Sequence, residues 1–239
     1  MPILGPYTGD KDKSYSYLSG PHWKGMKGYR VCQGNGEHRH LFGGQTWKVP
    51  ICEKCNKPMH QIFTFDLKDT KLSELRAENL NEIPLVSCLN CSTYWEPQVY
   101  KLDIQNKEVK VLVQNDTQGW MQDEEDRIPS PLPSVGVVIE EMKEEDVPVD
   151  RNYYNKAFDL IGSEYICRIL GAPLYAQNPL DRECPICKKE MFYIATIAGE
   201  NYGQSGSLIN GVDFVLGEVF LYFLFCKDCL LVKTESQGT

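Results

Sequence analysis

Eight of the ten cysteines in this chain form four C-x-x-C pairs. Two cysteines at this spacing in a tight turn can direct both sulfurs toward one ion, and two such turns supply four thiolates in a tetrahedron. A set of four thiolates suits Zn²⁺, and because protein ligands fill every coordination position, the site is structural and not catalytic. The pairs are Cys52 with Cys55, Cys88 with Cys91, Cys184 with Cys187, and Cys226 with Cys229.

The separation of the pairs predicts two zinc sites. The first two pairs start 36 residues apart and the last two start 42 residues apart. We therefore predict one site at Cys52, Cys55, Cys88 and Cys91, and another at Cys184, Cys187, Cys226 and Cys229. Pairing across the two halves and iron in place of zinc are alternatives that spacing leaves open. Disulfides would need an oxidising compartment, and a thioredoxin-type redox pair would need one C-x-x-C at the start of a helix.

The first and third pairs lie in the same pattern, C-x-x-C-x-K-x-M, at residues 52–59 and 184–191. In each half a glycine-containing loop precedes this pattern and an apolar, β-branched segment typical of a strand follows it. In each half the later pair then ends an apolar run. This shared order indicates an internal duplication.

The elements around these cysteines are predicted to be mostly β-strands. Segments 60–67 and 192–198 are typical of strands, and 98–104 with 107–113 predict a hairpin. Segment 219–226 has no polar face, which is typical of a strand buried on both sides. Helices are expected at 151–161, capped by Asp150, and at 69–80. The predicted class is α+β, mainly antiparallel β, in two related halves that each carry a zinc-ribbon-like site of four cysteines.

Charge divides the chain into three segments. Residues 119–150 hold ten acidic and two basic residues, so that segment alone accounts for the net charge of −8. Its stretch RIPSPLPSVG has prolines at 129, 131 and 133. We therefore predict a first half with one zinc site (1–118), an acidic connector with a possible strand at 135–139 (119–150), and a second half with the other zinc site (151–239).

The composition is that of a soluble globular protein, with 42% hydrophobic and 24% charged residues. The longest apolar run, 214–226, contains Glu218 and is too short to span a bilayer. The first residues lack the pattern of a secretory signal, so a cytoplasmic location without membrane contact is predicted. An acidic balance confined to one segment argues against a nucleic-acid-binding surface.

With these motifs in view, the chain resembles the YwqG-like family of bacterial proteins and, more distantly, the programmed cell death protein 2 family of eukaryotes. The resemblance covers roughly residues 38–239 and departs from the family pattern at Gln45, where proline is expected, and after Met191, where glutamine is expected. It implies a mainly antiparallel α+β fold of two related halves and, for the eukaryotic relatives, a role in ribosome biogenesis as chaperones of a ribosomal protein. The matching residues are Gly43, Gly44, Trp47, Cys52, Cys55, Met59, Ile62, Gly171, Pro173, Tyr175, Gln177, Cys184, Cys187, Met191, Tyr222, Phe223, Phe225, Cys226 and Cys229.

Other residues that can do chemistry give weaker patterns. Cys32 with His38 and His40 matches no standard ligand spacing, so we interpret the histidines as polar loop residues. His60 follows Met59 in a predicted strand and is either exposed or a core histidine. Cys167 lies in an apolar segment and is expected to be a buried strand residue. With no G-x-S-x-G, phosphate-binding or dinucleotide-binding motif, the chain is predicted not to be an enzyme.

Two functions follow from these features. The main hypothesis is a zinc-stabilised protein-interaction module whose acidic connector attracts a basic client protein. The alternative is an RNA-binding or RNA-processing factor that uses the N-terminal fifty residues, where seven basic residues outnumber three acidic ones. Aromatic residues stand among them, a mixture that can stack on RNA, although the charge excess is small. Those residues are Tyr7, Tyr15, Tyr17, Trp23 and Tyr29.

Overall fold

The computed structural model describes residues 27–91, 95–115, 119–148, 151–177, 179–200, 207–209, 212, 214–217 and 219–238. Within them, eleven strands form one sheet in which every neighbouring pair of strands is antiparallel. The prediction of a mainly antiparallel β fold is confirmed. The strands are β1 Tyr29–Gln33, β2 His40–Phe42, β3 His60–Asp66, β4 Glu82–Ser87, β5 Gln98–Asp103, β6 Glu108–Gln114, β7 Val135–Glu141, β8 Cys167–Ile169, β9 Phe192–Ala198, β10 Val219–Cys226 and β11 Leu231–Gly238.

Helical structure is sparse in the described residues. The α-helix α1 covers Arg151–Leu160, and short 3-10 helices cover Thr70–Leu75, Glu124–Asp126 and Glu144–Asp146. The helix expected at 151–161 is therefore present, while its expected cap, Asp150, lies outside the described residues.

The prediction of a helix over 69–80 is wrong after Leu75. Leu72 and Leu75 are both buried, three residues apart, which is the period of a 3-10 helix. The 3-10 helix ends at Leu75, and Asn79 has a positive φ of 60°. The amide of Leu80 then donates to the carbonyl of Ala77 at 3.2 Å. The sequence of this segment suits an α-helix, but burial of two leucines on one short turn and the approach of β4 override that preference.

The strand order is β4-β3-β2-β7-β1-β8-β9-β10-β11-β5-β6. Two meanders, β2-β3-β4 and β8-β9-β10, flank the central pair β7-β1. In the chain β1 precedes the first meander, but it pairs with β8 of the second. Likewise β7 precedes the second meander and pairs with β2 of the first. The strand that precedes each meander in the chain therefore pairs with the other meander. β7, which lies within the predicted connector, is an interior strand of the sheet.

Glycines permit the close approach between each meander and its exchanged strand. Gly43, after β2, has φ +65°, and a Cβ there would collide with the carbonyl oxygen of Pro133 just before β7. Gly171, after β8, has φ +70°, and a Cβ there would lie 2.6 Å from the backbone nitrogen of Gly28 just before β1. Both glycine loops of the sequence therefore sit at the same kind of junction.

The sheet is curved into a nearly closed barrel. The two edge strands, β4 and β6, approach each other through residues 47–48, which lie between them. The amide of Val109 donates to the carbonyl of Lys48 at 2.9 Å, and the Trp47 indole N–H donates to Glu82 at 2.8 Å. These contacts connect the end of the sheet that carries β6 with the end that carries β4.

Two hydrophobic cores lie on opposite faces of the sheet. Alternate residues of β10 enter different cores: Leu221, Phe223 and Phe225 belong to the main core, which also holds the inner residues of β3 and β4. Phe220 and Tyr222 belong to a smaller core that α1 helps to cover. This division confirms the expectation that segment 219–226 is buried on both sides, because successive side chains of a strand point to opposite faces.

Candidate metal centres

The first cysteine cluster consists of Cys52, Cys55, Cys88 and Cys91. Their sulfur atoms all lie within 4.8 Å of one another. The Sγ atoms of Cys52 and Cys91 are 3.6 Å apart, those of Cys55 and Cys88 are 3.6 Å apart, and those of Cys88 and Cys91 are 3.4 Å apart. The structure thus brings together the first group of four thiols that the spacing predicts.

The second cysteine cluster consists of Cys184, Cys187, Cys226 and Cys229. Its four sulfur atoms also lie within 4.8 Å of one another, and those of Cys187 and Cys226 are 3.5 Å apart. Among the described residues these two clusters are the groups of cysteine, histidine and carboxylate side chains that can hold a metal ion.

The same backbone turn presents the first pair of each cluster. In the first cluster the amide of Asn56 donates to the carbonyl of Cys52 at 2.9 Å, and Asn56 has φ 52°. In the second cluster the amide of Lys188 donates to the carbonyl of Cys184 at 3.0 Å, and Lys188 has φ 62°. A residue in the left-handed region lets the chain reverse immediately after the second cysteine, so that both sulfurs face the same point.

A strand end presents the second pair of each cluster. Cys88 follows directly after β4, and Cys226 is the last residue of β10. The turn also brings the chain back into the sheet, because the amides of Met59 and Met191 donate to the carbonyls of Pro50 and Arg182. The strands β3 and β9 then start at the next residue, which explains why the methionine and the following strand recur together with the cysteines.

The observed spacing of the sulfurs fits a tetrahedral ion. Four sulfurs at about 2.3 Å from a central Zn²⁺ are about 3.8 Å from one another. The sulfur–sulfur distances of 3.4–3.6 Å in the first cluster and 3.5 Å in the second are close to that value. Four thiolates in a tetrahedron select zinc or iron and leave no coordination position for water or substrate.

The thiols of a cluster influence one another's ionisation. Hydrogen bonds with Cys52 and Cys91 raise the pKa of Cys88 far above its ordinary value. Burial raises the pKa of Cys226 to about 12, whereas the backbone N–H of Lys189 lowers the pKa of Cys187 to about 7. Four adjacent thiols resist simultaneous ionisation, and a bound cation reverses that resistance by supplying positive charge.

Two polar residues lie beside the first cluster: Gln114, which the sequence analysis did not identify, and His60. The side-chain amide of Gln114 donates to Cys52 Sγ at 3.0 Å. His60 lies behind the cluster, where its Nδ1 accepts from the amide of Leu89 at 3.2 Å and its Nε2 lies 3.1 Å from the carbonyl oxygen of Ile128. His60 is therefore a core histidine. Gln114 is 62 residues from Cys52 in the chain, and no local motif marks it.

Cys32, His38 and His40 do not form a group whose ligand atoms could share one metal ion, although the rings of His38 and His40 lie 6.0 Å apart. His40 uses both ring nitrogens: Nδ1 accepts from the amide of Asp66 and Nε2 donates to Asp69, each at 3.1 Å. It is a buried structural residue, which corrects the expectation of a polar loop residue. Cys32 lies 3.7 Å from a Glu140 oxygen, and its burial raises its pKa to about 11. His38 lies 4.0 Å from Asp66.

Cys167 is fully buried in β8, as expected, and burial raises its pKa well above the ordinary value. The basic and aromatic residues of the proposed RNA-binding arm lie outside the described residues, except for Lys27, Tyr29 and the basic residues that follow them. In the described part of the chain, the helices are too short or too polar to cross a bilayer.

Comparisons with protein-family models, with curated proteins and with solved structures give no match for this chain.

Proposed function

We propose that this protein is a non-enzymatic interaction module, stabilised by two structural zinc ions, that binds a basic client protein. The observation that carries the proposal is the pair of four-cysteine clusters at the ends of the meanders, each of which leaves an ion no open position. A cytoplasmic location is part of the proposal because reduced thiols persist in that compartment.

The described residues outside the clusters support the non-enzymatic part of the proposal. Both histidines inside the fold, His40 and His60, use their ring nitrogens in hydrogen bonds within the protein. The raised pKa values of Cys32 and Cys167 keep these thiols protonated near neutral pH. Such groups are poor general bases and poor nucleophiles.

The internal duplication remains a proposal, and the placement of equivalent elements supports it. The strand β3 starts one residue after Met59 and β9 one residue after Met191, and both strands have seven residues. The amide that follows β2, at Gly43, donates to Ile62 of β3 at 2.8 Å, and the amide that follows β8, at Leu170, donates to Ile194 of β9 at 2.8 Å. Each half would then consist of one meander, one turn carrying two cysteines and one exchanged strand.

The relation to the YwqG-like and programmed cell death protein 2 families also stays a proposal. It is supported by the two meanders, each of which holds a glycine-containing loop, the C-x-x-C-x-K-x-M pattern and a later C-x-x-C in equivalent places. The client suggested by that resemblance is a ribosomal protein. Such a protein is basic, and the acidic residues of segment 119–150 would attract it over long distances.

Metal content tests the structural part of the proposal. Elemental analysis of the purified chain should find about two zinc ions per molecule, because each cluster offers four thiolates. The Cys52→Ser and Cys226→Ser variants should each lose about one ion, whereas Cys32→Ser should lose none. Iron in place of zinc, or a single ion that disappears in either cysteine variant, would contradict two independent zinc sites.

Binding measurements test the functional part. The full chain is immobilised and exposed to a panel of purified ribosomal proteins, with an acidic protein of similar size as the control. Retention should be strong at about 0.05 M salt and much weaker at about 0.5 M, because salt screens charges that lie at a surface. Retention of no basic protein, or retention that ignores salt, would contradict the proposal.

A further inference from the structure

The hairpin formed by β5 and β6 contacts the surroundings of both cysteine clusters. In the chain it follows Cys91, the last ligand of the first cluster, but its strand β5 pairs with β11 of the second half. The strand β11 begins two residues after Cys229, the last ligand of the second cluster. The hairpin therefore connects the part of the sheet beside one cluster with the part beside the other.

On the β5 side, the hairpin holds the last turn of the second cluster. The Lys101 ammonium donates to the backbone carbonyl of Cys229 at 2.5 Å. The amide of Leu102 donates to the carbonyl of Leu230 at 2.9 Å, and Leu230 has a positive φ of 50°. Because a leucine rarely adopts this backbone conformation unless its contacts impose it, the hydrogen bonds from β5 help to keep this turn in place.

On the β6 side, the hairpin holds the first turn of the first cluster. The side-chain amide of Gln114 donates to Cys52 Sγ at 3.0 Å, and its side-chain oxygen accepts from the amide of Glu53 at 3.4 Å. At the other end of β6, Lys48 forms a parallel bridge with Glu108. The chain from Lys48 to Glu53, which contains the first ligand of this cluster, is thus fixed to β6 at both ends.

Two adjacent residues of β5 face the two clusters from opposite sides of the sheet. Tyr100 is fully buried in the main core, and its hydroxyl donates to Met59 Sδ at 3.4 Å. Met59 ends the C-x-x-C-x-K-x-M pattern of the first cluster. Lys101 reaches Cys229 on the other face, because successive side chains of a strand point to opposite faces. A displacement of β5 would therefore disturb the surroundings of both clusters.

Metal binding orders the chain around a site of four cysteines, because the free thiols have no common partner that fixes their positions. An ion that binds at either cluster also orders the hairpin that contacts it. The ion that binds second then meets a hairpin that is already ordered, and its binding loses less conformational entropy. Such coupling is reciprocal, since each ion changes the affinity for the other by the same factor.

We propose that the β5-β6 hairpin couples the two metal sites, so that zinc at either cluster increases the zinc affinity of the other. In this coupling Lys101 and Gln114 are positioning residues, one for each cluster. The inference rests on the structural part of the proposed function, the two zinc sites, and requires no client protein.

Zinc dissociation constants measured on the full chain test the coupling. The variants Cys55→Ser and Cys187→Ser each disable one cluster at a ligand that is only partly buried. Competition with a chelator gives one constant for each variant and the product of two constants for the wild-type chain. Independent sites would make that product equal to the product of the two single constants. We expect it to be smaller by about fivefold or more, as is typical of coupled sites.

The Lys101→Met variant separates coupling from a general loss of stability. Its direct effect on the second cluster is measured in the Cys55→Ser chain, where only that cluster is intact. In the otherwise wild-type chain the effect on the product of constants should be larger by about threefold or more, because the coupling is lost as well. In the Cys187→Ser chain it should change the constant of the first cluster by about twofold or less, since the second cluster is already disabled.

The Gln114→Leu variant tests the same coupling from the first cluster. Its direct effect is measured in the Cys187→Ser chain, and its effect in the otherwise wild-type chain should again be larger. If Cys55→Ser or Cys187→Ser does not fold, Cys52→Ser or Cys229→Ser disables the same cluster at another ligand.

The matched control is Lys110→Met, the same change as Lys101→Met on the other strand of the hairpin. Lys110 forms ion pairs with Asp103 at 2.7 Å and with Glu108 at 3.5 Å, and it is exposed. The variant should alter the wild-type product of constants by about twofold or less, because an exposed ion pair contributes little to stability.

Four results would each overturn the inference. The first is a wild-type product of constants equal to that of the single-cluster variants, and the second is a Lys101→Met or Gln114→Leu effect that is no larger in the wild-type chain. The third is an effect of Lys101→Met on the first cluster that persists in the Cys187→Ser chain, and the fourth is an equal effect of Lys110→Met. If two zinc ions still bind per chain in these cases, the zinc sites of the proposed function stand and only their coupling is wrong.

Discussion

The two cysteine clusters share a ligand set and a turn but differ in their surroundings. Three members of the first cluster, Cys52, Cys88 and Cys91, are buried within the main core. In the second cluster two members, Cys187 and Cys229, are only partly buried and pack at the margin of the smaller core. The first cluster is thus part of the barrel interior, whereas the second fastens a turn to the outside of the sheet.

The charges around the clusters differ as well. Four thiolates and one divalent cation carry a net charge of −2. Beside the first cluster a neutral group, the amide of Gln114, donates to a sulfur. Beside the second, the Lys189 ammonium forms an ion pair with Asp228 at 2.5 Å, and its own pKa is raised mainly by that carboxylate and to a smaller extent by Cys187 and Cys226. The ligands alone therefore do not determine how firmly each metal is held.

The largest expected difference concerns stability. Cys52 and Cys184 occupy the same place in the two turns, and both are fully buried. We expect Cys52→Ser to lower the free energy of unfolding by about 4 kcal/mol and Cys184→Ser by about 2 kcal/mol, because loss of the first metal also loosens the main core. Chemical denaturation of metal-loaded protein measures both values. Equal losses would mean that the first cluster is no more important to the core than the second.

The next difference concerns metal release. The second cluster has two partly exposed ligands, whereas the first has one, Cys55, so we expect a chelator to reach the second ion more readily. We expect release in two phases, with the second cluster at least about tenfold faster, because the first must wait for an opening of the core. A colorimetric zinc chelator follows both phases, and Cys184→Ser should remove the fast one. A single phase in the wild-type protein would contradict the comparison.

As the pH falls, the half of the barrel that holds the first cluster should lose stability at a higher pH than the half that holds the second. All four histidines lie before residue 61, and burial lowers the pKa of both His40 and His60 below 6.5. The unfolded chain then binds protons more readily than the folded chain, so stability falls as the pH falls below about 6.5. Hydrogen exchange between pH 7 and pH 5 should accelerate in β3 and β4 more than in β9 and β10.

The control for this prediction is His40→Gln, which removes one buried titrating group. Its stability should depend less on pH in the same window, even if it is lower throughout, because the unfolded state no longer gains that proton. Equal acceleration of exchange in both meanders would indicate that protonation of the cysteine ligands, which both clusters share, dominates the response to acid.

Local sequence was sufficient for the parts of the fold that are local in space. The cysteine pairs, the strands after Met59 and Met191, the β5-β6 hairpin and the strand within the acidic segment were all predictable, since spacing and alternation carry their signal. The grouping of the four C-x-x-C pairs into two clusters was also predictable. In each half the second pair stands at the end of a strand, β4 or β10, and that strand pairs with the strand that follows the first pair, β3 or β9.

The exchange of β1 and β7 was not predictable from local patterns. Either strand could pair with the meander that follows it in the chain, and nothing in its own residues excludes that arrangement. The choice depends on contacts such as that between Gly171 and Gly28, 143 positions apart in the printed sequence. The contact of Gln114 with Cys52 was hidden for the same reason, since it forms only when the sheet curves toward closure.

The smallest expected effect tests the charge difference between the clusters. Lys189 lies close to Cys187 and Cys226, so Lys189→Gln should speed metal release from the second cluster a few-fold, because one positive charge no longer offsets the thiolates. The melting temperature should hardly change, since an exposed ion pair contributes little to stability. Lys57→Gln, at the equivalent place beside the first cluster, is the matched control and should leave the slow phase unchanged, since opening of the core limits that phase. If Lys57→Gln accelerates the slow phase as much as Lys189→Gln accelerates the fast one, charge and not burial determines the difference in metal-release rate between the two clusters.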